Sequence, residues 1–146
     1  MEFTPVTEIL SVAGQISLDD IAAYAKDGYG TIINNRPDGE EPGQPSHEAA
    51  AAEAAKHGMT YHYIPVVTGA ITRRDIIAQQ KAVERGPQKV LAHCRSGTRS
   101  YLLWMASRAL FDNESALKLV AEAAIKGYDL RVLPSLIEKL QTEAAK

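Results

Sequence analysis

The feature that most constrains this chain is the spacing of its short apolar runs. Ile9-Leu10-Ser11-Val12-Ala13, Thr31-Ile32-Ile33-Asn34-Asn35, Thr60 to Val66 and Val90-Leu91-Ala92-His93 each read as a strand, rich in β-branched or apolar residues. The segments between them are far too long for hairpin turns and carry helical periodicity. Ser17 and Asp20 have the spacing of a capping box for a helix carrying Leu18, Ile21, Ala22 and Ala25, with Gly28 as its stop. Ser46 opens an alanine-rich helix through Lys56 that Gly58 ends. Thr72 and Asp75 open a third helix with Ile76, Ile77, Gln80 and Val83, which Gly86-Pro87 break. Strands joined through helices pair in parallel. The expected fold is therefore α/β, with a mostly parallel central sheet of four to five strands and helices on both faces. Ile9 to Ala13 is expected near a sheet edge, and Pro65 confines the third strand to an edge or marks its exit. Three further helices are expected: Tyr101 to Phe111, Glu114 to Lys126 closed by Gly127, and Pro134 to Ala144. With 146 residues, no linker and no internal repeat, one domain over residues 1–146 is expected.

The only cysteine, Cys94, stands where the fourth strand runs into the loop Arg95-Ser96-Gly97-Thr98 and then into a helix. Backbone N–H groups converge at such a junction, which suits an anion and a reactive thiolate. Arg99 offers paired N–H donors to an oxyanion, a geometry lysine lacks. Gly97 permits a turn with positive φ, while Ser96 and Thr98 are small enough to leave amides pointing inward. Ser100 is placed to cap the helix or to hydrogen-bond Cys94, and His93 supports the loop from the strand. A lone cysteine on a strand is most often a small buried hydrophobe. Here the apolar strand, the glycine turn with two arginines and the following helix together point to an anion-handling cysteine.

The net charge of −2 gives no general attraction to nucleic acid or to an acidic membrane, so anion recognition must be local. Trp104 and the tyrosines sit at core or pocket-wall spacings, not those of a stacking platform for bases. No run approaches the roughly 20 apolar residues of a membrane span. A single cysteine and no secretory leader pattern lead to the expectation of a cytoplasmic protein. His47, His57 and His62 lack metal-ligand spacing with one another or with Cys94, so neither a metal nor a cofactor is expected.

His93-Cys94 followed by a loop ending in Arg99-Ser100 resembles the signature of tyrosine and dual-specificity phosphatases. Gly30-Thr31-Ile32-Ile33-Asn34 and Gly58 to Val66 resemble strands those enzymes carry. The chain is most similar to the bacterial phosphatase-like domain of beta-lactamase hydrolase-like proteins, and the resemblance implies a dual-specificity-phosphatase-like sheet with Cys94 as nucleophile. Two departures bear on chemistry. Those phosphatases place five residues between cysteine and arginine, whereas four separate Cys94 from Arg99, which is similar to the rhodanese pattern and suits a persulfide sulfur. The phosphatase general acid follows the Ile-Pro-Val strand, where this chain has Val67-Thr68-Gly69. Asp75 is the next carboxylate but is needed as a cap, and Asp38, Glu40 and Glu41 in the loop Arg36 to Pro45 are the other candidates.

The resemblance thus implies a cysteine-dependent phosphatase that hydrolyses phosphomonoesters, aryl phosphates among them, through a phosphocysteine. A rhodanese-like sulfurtransferase, with a sulfane-sulfur donor and a thiol acceptor, is the alternative, and a phospho-anion-binding module is a third reading. A fused or neighbouring metallo-hydrolase is the implied partner.

Overall fold

The computed structural model describes residues 2–86 and 88–144. Strands β1 (Thr4–Pro5), β2 (Leu10–Ala13), β3 (Tyr29–Asn34), β4 (Thr60–Tyr63) and β5 (Lys89–His93) form one sheet in the order β1-β2-β5-β3-β4. β2, β5, β3 and β4 run parallel, and β1 lies antiparallel to β2. The α/β sheet of four to five strands expected from the spacing is therefore present with five, four of them at the runs read from the sequence. Thr4–Pro5 is too short to leave a periodic signal, yet it takes the edge. It leaves Ile9 to Ala13 near the edge, as expected, but one strand in from it, and all four β2 side chains are buried.

Among the described residues six α-helices pack around the sheet: α1 (Leu18–Lys26), α2 (His47–Lys56), α3 (Arg73–Glu84), α4 (Thr98–Phe111), α5 (Ala116–Ile125) and α6 (Leu133–Ala144). The period of two along the strands decides which core each residue joins. Ile32 and Leu91 face Ile21, Tyr24, Ala50 and Ala54 of α1 and α2. Ile33 and Val90 face Ile76, Val83, Leu102, Leu103 and Ile137 of α3, α4 and α6. No described helix is long and apolar enough to cross a membrane.

Most helix boundaries follow their caps. Ser17 and Thr72 form capping boxes with Asp20 and Asp75, and the Ser46 side chain accepts from the Ala49 N–H. Several boundaries shift by a residue or two from the sequence reading, and three of the differences bear on the site or its supports. α5 starts at Ala116 with Ser115 as its cap, because the Glu114 carboxylate is held by Arg108 at 2.6 and 2.8 Å. β4 ends at Tyr63, although the Ile64 and Val66 N–H groups still donate to the Asn34 and Asn35 carbonyls across the donorless Pro65. α4 begins three residues before Tyr101, with Gly97 as its N-cap. Pro87, read as a helix breaker, lies outside the described residues.

Candidate active site

The strand register brings the chemistry to one end of the sheet. His93 at the end of β5 lies beside Asn34 at the end of β3, which lies beside Tyr63 at the end of β4. Loops leaving the carboxyl ends of adjacent parallel strands converge, which is where ligands bind in open α/β sheets. Asn35 continues this line, its N–H donating to the His93 carbonyl at 2.8 Å.

Cys94 is the first residue beyond β5 and is 1 % exposed. The Gly97 N–H donates to its Sγ at 3.1 Å. Gly97 reaches this position at φ 94°, and a Cβ there would lie 3.3 Å from the Ala13 carbonyl carbon and oxygen. Only glycine combines that dihedral with that approach. A second tight contact braces the same loop: the Gln15 N–H donates to the Arg95 carbonyl, and a Cβ on Gly14 would come within 2.9 Å of that oxygen. Helix α4 begins immediately after Gly97, so its positive end faces the sulfur.

Arg99 is fixed by groups distant in sequence. Its Nη1 donates to Glu40 Oε2 and to the Val66 carbonyl, both at 2.9 Å, and its Nη2 donates to Glu40 Oε1 at 2.8 Å. The carboxylate thus occupies the outer end of the guanidinium. The Nε–H and the second Nη2–H, which project side by side along the other edge, keep no protein partner among the described hydrogen bonds. Arg99 is held protonated above its ordinary value by Glu40 first, and then, after opposing desolvation, by the charge of the Cys94 sulfur.

Glu40 serves two arginines. Arg36, which has no exposed surface, donates from Nε to Glu40 Oε1 at 2.8 Å and from Nη1 to Gln15 Oε1 at 3.0 Å. Its Nη2 has no hydrogen-bond partner among the described residues, with Glu41 Oε1 3.5 Å away. The Arg99 hydrogen bonds, with those of Arg36 behind them, push the Glu40 carboxyl from 4.5 down to about 2 against desolvation. Neither Arg36 nor Gln15 was singled out from the sequence. The available signal was the four-residue step from Arg36 to Glu40 at the end of a buried strand.

Ser100 is not the helix cap. It is wholly buried, and its hydroxyl donates to Asn35 Oδ1 at 2.7 Å. The Asn35 and Gln79 amides pair head to head at 2.8 and 3.0 Å, and Asn35 Nδ2 also donates to the Ile64 carbonyl. This buried network ties β3, the segment after β4, α3 and α4 together behind the loop. Asn35 and Gln79 were absent from the sequence candidates, and Gln79 alone on an apolar helix face was their one visible sign.

The other sequence candidates are spread around this centre. Ser96 and Thr98 bond each other at 3.1 Å on the surface of the loop, and Arg95 is exposed, 3.9 Å from Glu41. His93 is buried with both ring nitrogens unpartnered among the described residues, and burial drives it from 6.5 to about 4, so it is neutral near pH 7. Asp75 serves as the cap partner of Thr72, its Oδ2 accepting from the Thr72 N–H and its own N–H donating to Thr72 Oγ1. Asp38 accepts from the His47 backbone and side chain, and His47 stacks on Tyr63 with ring centroids 3.9 Å apart. Ligand-capable atoms of Asp38, His47 and Glu48 lie within 4.8 Å of one another, a grouping that the histidine spacing did not reveal.

A parallel sheet of this order, with helices on both faces and a cysteine-to-arginine loop opening a central helix, is a dual-specificity-phosphatase-like fold. The chain belongs to the family described as the phosphatase-like domain of beta-lactamase hydrolase-like proteins, whose pattern matches residues 2–111. It is 38% identical over 130 residues to a beta-lactamase hydrolase-like protein of Xylella fastidiosa, covering 89% of this chain and 30% of that protein. The chain spans about a third of the length of the curated relatives it matches. Among solved structures, a candidate phosphatase of Neisseria meningitidis superposes with a TM-score of 0.81 at 29% identity, covering 94% of this chain and 96% of that one. Tk-PTP in its active form superposes with a TM-score of 0.71 at 18% identity, covering 94% and 93%.

Proposed function

We propose that this chain is a cysteine-dependent phosphatase acting on phosphomonoesters, with Cys94 as nucleophile and Arg99 as the oxyanion clamp. The observation that carries this reading is the orientation of Arg99. Glu40 and the Val66 carbonyl hold its outer end, leaving a charged two-donor edge with no partner among the described hydrogen bonds, on a guanidinium near enough to Cys94 for the sulfur to help hold it protonated. Such an edge matches two equatorial oxygens of a phosphoryl group.

In the first step Sγ attacks phosphorus in line, the P–O bond to the leaving group breaks, and that oxygen departs with the bonding pair. Arg99 and the loop amides carry the equatorial charge as it redistributes. Water then attacks the phosphocysteine, a P–O bond forms as the P–S bond breaks, and inorganic phosphate leaves with the thiolate restored. Ser100 acts from behind the loop by holding Asn35, since its hydroxyl is committed there.

A sulfurtransferase is the second reading, favoured by the short loop: four residues separate Cys94 from Arg99, and the Gly97 N–H already sits 3.1 Å from Sγ. A tight ring of this kind suits a single terminal sulfur. Turnover of an aryl phosphate by the wild-type chain, with trapping of a phosphoryl adduct and loss of both in Cys94→Ser, is the result expected. A one-sulfur mass increment on Cys94 after thiosulfate, with no Cys94-dependent phosphatase rate, overturns the phosphatase reading in favour of sulfur transfer. Phosphopeptide binding with neither activity overturns both.

A further inference from the structure

The cleft between α3 and β4 has a polar floor that the fold leaves unused. On the face of the sheet covered by α3, Thr31 and Ile33 of β3 lie in register with Thr60 and His62 of β4. Opposite them α3 presents Ala78 and Ala82, side chains too small to close the gap. A cleft of about 400 Å3 remains, within the size range of small-molecule sites, ~300–1,000 Å3.

Its charge is of one sign. Lys81 and Arg85, one turn apart on α3, stand at the rim, and no carboxylate lines the cleft with them. The intervening acid, Glu84, lines a different cleft beside Trp104. Its floor holds a second, independent observation. Thr31 has no exposed surface, and its Oγ1 has no hydrogen-bond partner among the described residues. The hydroxyl lies next to Gly86, where a Cβ would come within 3.1 Å of it. Folded interiors almost always pair such a group, through protein, water or ligand.

We propose that this cleft binds a small organic oxyanion, its carboxylate or phosphate on Lys81 and Arg85, its body on Ala78, Ala82 and Ile64, and a polar atom on the Thr31 hydroxyl. The site is distinct from the Cys94 loop. Thr31 pairs with Val90 in β5, whereas His93 and Cys94 follow at the other end of that strand.

Amide shifts in a nitrogen-15-labelled full chain test this directly, with 1-naphthoate as the carboxylate probe and phenylphosphonate, which has no ester bond to cleave, as the phosphate probe. The amides of Thr60, Ala78, Ala82 and Gly86 report on the cleft and that of Gly97 on the Cys94 loop. A failure of either site is thereby distinguished from a failure of the other. At least one probe is expected to shift the cleft amides saturably, and the probe that does so identifies the anion class. The Lys81→Ala, Arg85→Ala double variant is expected to weaken that binding by about tenfold or more. Thr31→Val is expected to weaken it severalfold while the melting temperature stays level or rises, because an unpaired buried hydroxyl has been removed. The proposal is overturned if neither probe saturates the cleft amides by about 10 mM, a weak-binding limit. It is equally overturned if the double variant binds as wild type, or if Thr31→Val lowers stability and leaves affinity unchanged.

Discussion

Replacing Glu40 by glutamine separates two roles that its position allows. As a competitor it would sit where the substrate belongs, and its loss would tighten anion binding. As a positioning residue it would hold the outer end of Arg99 so that the inner edge meets the substrate, and its loss would weaken catalysis. The bond pattern decides for positioning, because Glu40 takes the Nη1 and Nη2 end while Val66 takes the other Nη1 proton. The fall of the carboxyl from 4.5 to about 2 corresponds to ~3 kcal/mol of gross stabilisation of the ionised form, at about 1.4 kcal/mol per unit. The side chain remains 27% exposed, and solvent screening discounts that to about 1–2 kcal/mol.

The folded value is depressed, so this contribution is complete above the unfolded value near 4.5 and is lost as pH falls from there through about 2. Glu40→Gln is therefore expected to lower unfolding free energy by about 1–2 kcal/mol at pH 7, with the gap to wild type closing in that acid window. The catalytic loss should exceed what stability alone causes. Under the phosphatase reading, a guanidinium released from its clamp and left to find its own geometry is expected to cost kcat/KM about 10- to 100-fold on an aryl phosphate. Denaturant melts and steady-state kinetics measure the two effects separately. Tighter inhibition by inorganic phosphate in Glu40→Gln, with kcat/KM unchanged or raised, would refute the positioning argument and make Glu40 a plug.

The network behind the loop predicts that Gln79→Leu destabilises by ~1–3 kcal/mol, since the paired Asn35 amide loses a partner in a dry site; thermal melting checks it. Gly97→Ala must adopt φ 94° with Cβ 3.3 Å from Ala13, so it is expected to lose ~1–3 kcal/mol of stability and most activity, read by melting and turnover. His93 is buried neutral, its value driven from 6.5 to about 4. Its contribution is present above the unfolded value and is lost as pH falls from 6.5 toward 4. His93→Leu is expected to flatten that part of the stability profile in equilibrium unfolding, and an unchanged acid limb would contradict the assignment.

The parts that could be read from sequence are those carried by local pattern. The caps at Ser17, Ser46 and Thr72 lie within a few residues of what they bond, and the alternation of strands and helices survives in composition. Cys94, Gly97 and Arg99 were likewise close together in the chain. What stayed hidden depends on contacts between distant segments. Glu40 looked like a solvated loop acid because nothing in its neighbourhood announces Arg99, which approaches from 59 residues away. Ser100 looked like a cap because the helix was started late. Once Gly97 becomes the N-cap, Ser100 lies on the first buried turn, facing Asn35. β1 was invisible because two residues cannot show a period.

The acids around the site carry one more consequence, for the leaving group. A phosphomonoester whose alcohol is a poor leaving group needs a proton at the moment the P–O bond breaks. Asp75 is bonded to Thr72, Asp38 is bonded to His47, and Glu40, at about 2, is ionised throughout the neutral range. Glu41, 3.5 Å from Arg36 and 3.9 Å from Arg95, is bound only through ion pairs at longer range. A site so arranged favours leaving groups that depart as anions. Under the phosphatase reading, turnover of substituted phenyl phosphates should rise steeply as the phenol becomes more acidic, and alkyl phosphates should be poor substrates. Glu41→Gln should leave that dependence unchanged. A shallow dependence in wild type that steepens in Glu41→Gln would instead identify Glu41 as the proton donor, reached by a movement of the Arg36 to Pro45 loop when substrate binds.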